Sequence, residues 1–254
     1  MSFEIKKYNL HSKKIKKNID IVVISDLHGQ IYGINNSFIS SCVDEINPDK
    51  IFILGDMISR HKSGYKATLR LFEDIAKYDC YFINGNHEEK LRNINERLYK
   101  RYIHSIRQLG ISTLFNNNVI LNDYNLSING LRLPLSSYVK FKKYDYSFLK
   151  HKNIFKQLDY MRYNILLSHN PYVAERMDFD YDLVLSGHMH GGSIRLPVLG
   201  GLVSPNMSPL PKLDRGLFEL NKGKLIVSSG LGDHFPMLRI NNPKWLVHIK
   251  IKKE

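Results

Sequence analysis

The chain has 254 residues, 43% of them hydrophobic and 24% charged, with a net charge of +13. That length supports a substantial core, and the composition excludes collagen, coiled coil and wholesale disorder. Two cysteines, Cys42 and Cys80, are too few for a disulfide framework and read as inert core thiols in a reducing compartment.

Residues 1–18 are basic, lack the apolar stretch of a signal peptide, and are a candidate edge strand. No run reaches the roughly 18 apolar residues of a membrane span. The expectation is a cytoplasmic protein, either free or peripheral to the inner face of the membrane. Strand-like apolar runs follow at 21–25, 51–55, 81–85, 164–168 and 182–187. None alternates cleanly, as for strands buried on both faces. Amphipathic stretches at 36–46, 65–77 and 88–109 are predicted helices, giving a βαβ rhythm and a mostly parallel or mixed sheet. Residues 196–212 hold Pro197, Pro205, Pro209 and Pro211, too many for a helix or central strand, so a long loop is predicted. Runs at 216–220, 224–228 and 245–251 are read as antiparallel strands, with a turn at 221–223. The whole, 1–254, is expected to be one α/β domain, a sandwich of two β-sheets with helices outside.

What terminates each early run carries the chemistry. The first ends in Asp26 and His28, the second in Asp56, the third in Asn86 and His87, the fourth in His169, the fifth in His188 and His190. Ligands of open α/β sheets bind beyond the carboxyl ends of strands. A lone histidine there is usually structural; this many successive strand ends bearing carboxylate, amide or imidazole are not. Such donors suit Mn²⁺, Fe²⁺, Co²⁺ or Zn²⁺, and the lack of cysteine among them argues against a structural zinc site. The set is too large for one ion and fits two divalent ions, Mn²⁺ foremost, with a shared carboxylate. Glu88 and Glu89 open a helix, where acids suit the dipole. Gly55, Gly85 and Gly187 are read as turn residues that aim the ligands.

The blocks DLHG at 26–29, GDMI at 55–58, NGNHE at 84–88, LSHNP at 167–171 and SGHMHGG at 186–192 resemble the ordered motifs of the calcineurin-like metallophosphoesterases. The resemblance implies that family's α/β/β/α sandwich of two mixed sheets flanked by helices. It also implies that Asp26, His28 and His190 hold one metal, that Asn86, His169 and His188 hold the other, and that Asp56 bridges them. His87 takes the place of a catalytic, non-ligand histidine. Its expected role is to stabilise the phosphoryl oxygen or protonate the departing one while a metal-bound hydroxide attacks. Arg60 resembles the arginine of serine/threonine protein phosphatases, although a solvated arginine is the preferred reading.

Later stretches, HGGSIRLPVLGG, PKLDRGLFEL and VSSGLGDHFPMLRI, resemble a branch of small bacterial phosphodiesterases. That branch includes hydrolases of cell-envelope lipid precursors of the UDP-diacylglucosamine type. A phosphodiester or pyrophosphate in a small-molecule or lipid-linked substrate is therefore expected. A phosphomonoesterase, a nuclease and a non-catalytic scaffold are the alternatives. The filled ligand positions disfavour the scaffold, and nucleic acid is not favoured despite the charge. Basic clusters at 13–17, 140–156 and 250–253 read either as a solvated face or as steering for an anionic partner such as an acidic membrane. Apolar residues from Leu196 to Leu210 are expected either to pack on the second sheet or to form a lip that meets lipid.

Overall fold

The computed structural model describes residues 2–59, 65–138, 158–175, 181–233 and 239–254. In chain order the first half gives β1 (Glu4–Ser12), β2 (Ile19–Ile24), α1 (Ser37–Ile46), β3 (Lys50–Ile53), α2 (Tyr65–Ile75), β4 (Asp79–Phe82), α3 (Asn86–Ile94), α4 (Glu96–Gln108) and β5 (Ser112–Thr113). A second series follows: β6 (Asn117–Leu121), β7 (Leu126–Leu131), β8 (Tyr163–Ser168), β9 (Leu183–Ser186), β10 (Arg195–Leu196), β11 (Gly200–Gly201), β12 (Gly216–Glu219), β13 (Lys224–Val227) and β14 (Trp245–Lys253). Among the described residues one sheet runs β1-β14-β2-β3-β4-β5 and the other β12-β13-β9-β8-β7-β6. Both are mixed, and helices flank them.

Strand alternation builds the layers. Ile21 and Val23 of β2 face the second sheet, where Ile128, Ile165, Leu167, Leu183 and Leu185 join them in one buried core. Val22 and Ile24, pointing the other way, pack with Ile51, Ile53 and Phe82 against Ile39, Val43, Leu71, Phe72 and Tyr102 of the helices. A third cluster covers the outer face of the second sheet through Leu166, Val184, Leu225 and Val227. Each fully buried aliphatic side chain contributes about 2 kcal/mol. Burial on both faces explains why the sequence shows continuous apolar runs rather than alternation.

Three details differ from the sequence reading. The predicted helix 88–109 breaks at Asn95 (φ −147°, ψ 80°), whose side chain accepts a hydrogen bond from Leu98 N and caps α4. The 245–251 run leaves its neighbours and joins the first sheet, antiparallel to β2 and parallel to β1, which ends that sheet's strand order. Only β12 and β13 pair antiparallel as foreseen. Within the proline-rich stretch, β10 and β11 form a minimal hairpin. The basic cluster at 140–156 lies outside the described residues.

Candidate metal centre

Strands β2, β3 and β4 run parallel, as do β8 and β9, so their carboxyl ends point to one rim. Asp26, Asp56 and Asn86 sit two to four residues beyond the first three strands, with His169 and His188 just beyond the other two. Three overlapping groups result, each with ligand atoms within 4.8 Å of one another: Asp26, His28 and His190; Asp56, His169 and His188; and His28, Asp56 and His87. His190 Nε2 lies 3.5 Å from Asp26 Oδ1, and His169 Nε2 lies 3.3 Å from Asp56 Oδ2 and 3.8 Å from Asp26 Oδ1. Asn86 is buried beside them at the start of α3.

The backbone is bent to achieve this. Asp26, His28, Asp56, His188 and His190 all have φ between 49° and 69°. Left-handed backbone costs a non-glycine residue roughly 1–2 kcal/mol, and the frame around it must hold it there. Asp26 N donates to Gly55 O (3.0 Å) and His28 N to Asp56 O (2.9 Å), tying the two loops together. His188 N donates to the Asp26 carboxylate (3.1 Å) and His87 N to Asp56 Oδ1 (2.7 Å). His169 Nδ1 donates to Leu54 O at 2.6 Å, which turns Nε2 inward toward the carboxylates, where it carries a proton or, with a cation bound, offers its lone pair. Gly55 is a true turn residue at φ 84°. Gly85 and Gly187 serve differently: a Cβ on either would collide with the carboxylate oxygens of Asp56 or Asp26.

The residues present fit two divalent cations. Asn86 Oδ1 is buried without a hydrogen-bond partner among the described residues, as is His169 Nε2. His28 Nε2 and His190 Nε2 approach to 3.0 Å, a distance that two lone pairs tolerate only with a cation or proton between them. Electrostatics agree. Burial and the neighbouring Asp56 raise the Asp26 carboxyl to about 6, with His169 opposing. Burial would raise Asp56 too, but the charges of His169, His87 and His28 hold it well below the usual carboxylate range. Burial disfavours the charged His169 ring, yet the two aspartates lift it to about 9. A proton on His169 thus does between the carboxylates what a metal cation would do.

Sequence reasoning missed residues that act through others. Glu88, read only as a helix-dipole acid, is fully buried and accepts from Asp56 N (2.8 Å), Met57 N (3.0 Å) and Gly85 N (2.9 Å). It pins the Asp56 loop to the start of α3; burial and the Asp56 charge raise it to about 7 against those backbone bonds. Its place three residues into α3, after Gly85, was the available signal. Glu89 is gripped by Arg132 through two nitrogens, at 2.6 and 3.0 Å, and by Asn84. Arg239 Nη2 donates to Ser229 O and Gly232 O and packs 3.0 Å from His190 Nδ1. Asn242 holds the His190 and Gly192 carbonyls. Arg60 lies outside the described residues.

In the proline-rich stretch Val198 is fully exposed, as are large parts of Leu196, Leu199, Met207 and Leu210; Leu202 and Val203 are half-buried. Packing on the second sheet does not account for the exposed members. Among the described residues no helix is long and apolar enough to cross a membrane.

Comparisons with known proteins bear on this rim. The calcineurin-like phosphoesterase family profile matches residues 19–192. An uncharacterised metallophosphoesterase of Campylobacter jejuni is 30% identical over 262 residues, covering 98% of this chain, which spans only 63% of that protein's length. One from Aquifex aeolicus is 26% identical and matches 98% of this chain and 91% of its own. The UDP-2,3-diacylglucosamine pyrophosphatase LpxG of Chlamydia muridarum is 29% identical over 84% of this chain and 77% of its own. The fold is shared with the crystal structure of TT1561 of Thermus thermophilus, at a TM-score of 0.56 and 13% identity over 84% of this chain and 90% of that one.

Proposed function

Since the chain belongs to the calcineurin-like phosphoesterase family, we propose that it is a two-metal phosphodiesterase or pyrophosphatase. The observation that carries this reading is the convergence of three donor groups, linked through His28 and Asp56, at one rim. In this reading Asp26, His28 and His190 would hold one divalent ion, Asn86, His169 and His188 would hold the other, and Asp56 would serve both. Bound there, two divalent ions, Mn²⁺ foremost, would supply Lewis-acid activation of the phosphoryl group and of the attacking water.

The chain's own residues do the rest. Asp56, held by Glu88 and His87 N, keeps one carboxylate oriented toward both donor groups. His87 lies edge-on against His28, with ring centroids 4.6 Å apart, a position that supports reading it as the residue beside the reacting phosphorus. There it donates a proton to the departing oxygen or a hydrogen bond to the phosphoryl oxygen. We read residues 1–254 as one domain built around this rim. The LpxG relative supports a lipid-linked pyrophosphate as substrate. The exposed apolar tip at Val198 and Leu199 supports peripheral contact with an anionic membrane, and co-sedimentation with anionic vesicles checks that contact.

The deciding experiment compares kcat/KM on bis- and mono-nitrophenyl phosphate with Mn²⁺ supplied, and again after chelation. A diester preference that vanishes with the metal is expected. A monoester preference of roughly tenfold, about 1.4 kcal/mol, overturns the reading.

A further inference from the structure

Beside His87 a cleft of about 560 Å³ opens between the Ile58–Ser59 segment and the α3–α4 elbow. Its described lining is Ile58, Tyr65, Leu91, Ile94 and Leu98, with Ser59, His87 and Lys90 as the polar members. The volume falls in the range of small-molecule pockets, as does the pattern of an apolar wall with few polar groups. Leu91, Ile94 and Leu98 stand at i, i+3 and i+7, the spacing of a helix face made for burial. Ile94, just before the break at Asn95, is nevertheless 79% exposed, while Leu91 packs in part against the helix-side core.

Two features say what would cover it. His87 belongs both to the cleft and to the donor group with His28 and Asp56, so an occupant begins where the phosphorus would sit. The polar members put a cation, Lys90, and two hydrogen-bonding groups beside an otherwise apolar wall, the complement of an anionic head on a hydrocarbon chain. We infer that this cleft is the binding site for the acyl or alkyl chain of an amphiphilic phosphoester whose phosphoryl group lies at the metal rim. The inference rests on the hydrolase reading for the position of the phosphorus.

The test is calorimetric binding of methyl-, butyl- and octylphosphonate to the Mn²⁺-loaded protein, with nitrophenyl diester hydrolysis followed in parallel. Octylphosphonate should bind at least about tenfold more tightly than methylphosphonate, a small fraction of what full methylene burial yields. Ile94→Glu should collapse that ratio and Ile94→Leu should keep it; a ratio within one variant cancels differences in metal loading. Equal affinities across the series, no octylphosphonate binding, or a ratio surviving both Ile94→Glu and Leu98→Gln overturns the inference. So does a change in sedimentation mass on Ile94→Glu with the ratio intact, which makes the cleft a face for a second copy. Failure of the hydrolase reading shows separately, as intact chain-length dependence without nitrophenolate release.

Discussion

Two regions of this chain bend non-glycine residues into left-handed backbone, and they differ in what they do with the side chains. At the rim, Asp26, His28, Asp56, His188 and His190 are bent and their polar side chains converge inward. In the proline-rich stretch Val198, Met207 and Leu210 are bent, at φ 72°, 66° and 44°, and their apolar side chains face outward. Among the other described residues every such non-glycine is an asparagine, which tolerates the conformation. Strain alone therefore does not mark a catalytic centre. At the rim it is set against converging ligand atoms; in the proline-rich stretch it sits in turns closed by backbone hydrogen bonds, such as Met207 N to Ser204 O and Leu210 N to Leu202 O (both 2.8 Å), with the side chains left outside.

The sharpest way to break this contrast is to remove the charge that the rim is bent around. Asp56→Asn should abolish nearly all turnover and release at least one metal equivalent, because ligand charge supports both ions; metal analysis alongside initial rates reads both. His87→Asn should lower kcat by about 10²–10⁴-fold with metal content unchanged. Its deficit should shrink for a nitrophenolate leaving group, which needs no proton, and equal deficits for good and poor leaving groups would reassign it to phosphoryl-oxygen stabilisation. Glu88→Gln puts an amide donor against backbone N–H groups that need an acceptor. A loss of about 10–100-fold in metal affinity or rate is expected, as for residues that orient ligands. The smallest effect belongs to the other region: Val198→Asn should stabilise the fold by up to about 1 kcal/mol in a denaturant titration, relieving strain that no packing repays. The same change should weaken vesicle binding and leave diester hydrolysis unaltered.

The rim was legible in the sequence because its chemistry is local. A strand buried on both faces writes an apolar run, and the ligand must stand in the few residues after it. The same logic gave the two-sheet sandwich, since Ile21 and Val22 serve opposite cores. What was not legible depends on distant partners. The break at Asn95 is invisible to periodicity, because Leu91, Ile94 and Leu98 continue one helical face across it. β14 pairs with β2, over 200 residues away in the chain, and nothing in its apolar pattern says so. Glu88 looked like a helix-dipole acid until its backbone partners were in view. Arg239 lies at the end of a stretch that served only as a branch marker, and its neighbour His190 is 49 residues away.

The central claim is that the seven side chains Asp26, His28, Asp56, Asn86, His169, His188 and His190 hold a pair of ions. Inductively coupled plasma mass spectrometry of protein loaded with Mn²⁺ and desalted tests it most directly. The account predicts about two ions per chain, falling to one or fewer in Asp56→Asn. A single ion in the wild-type protein, or two retained by Asp56→Asn at full activity, would contradict it.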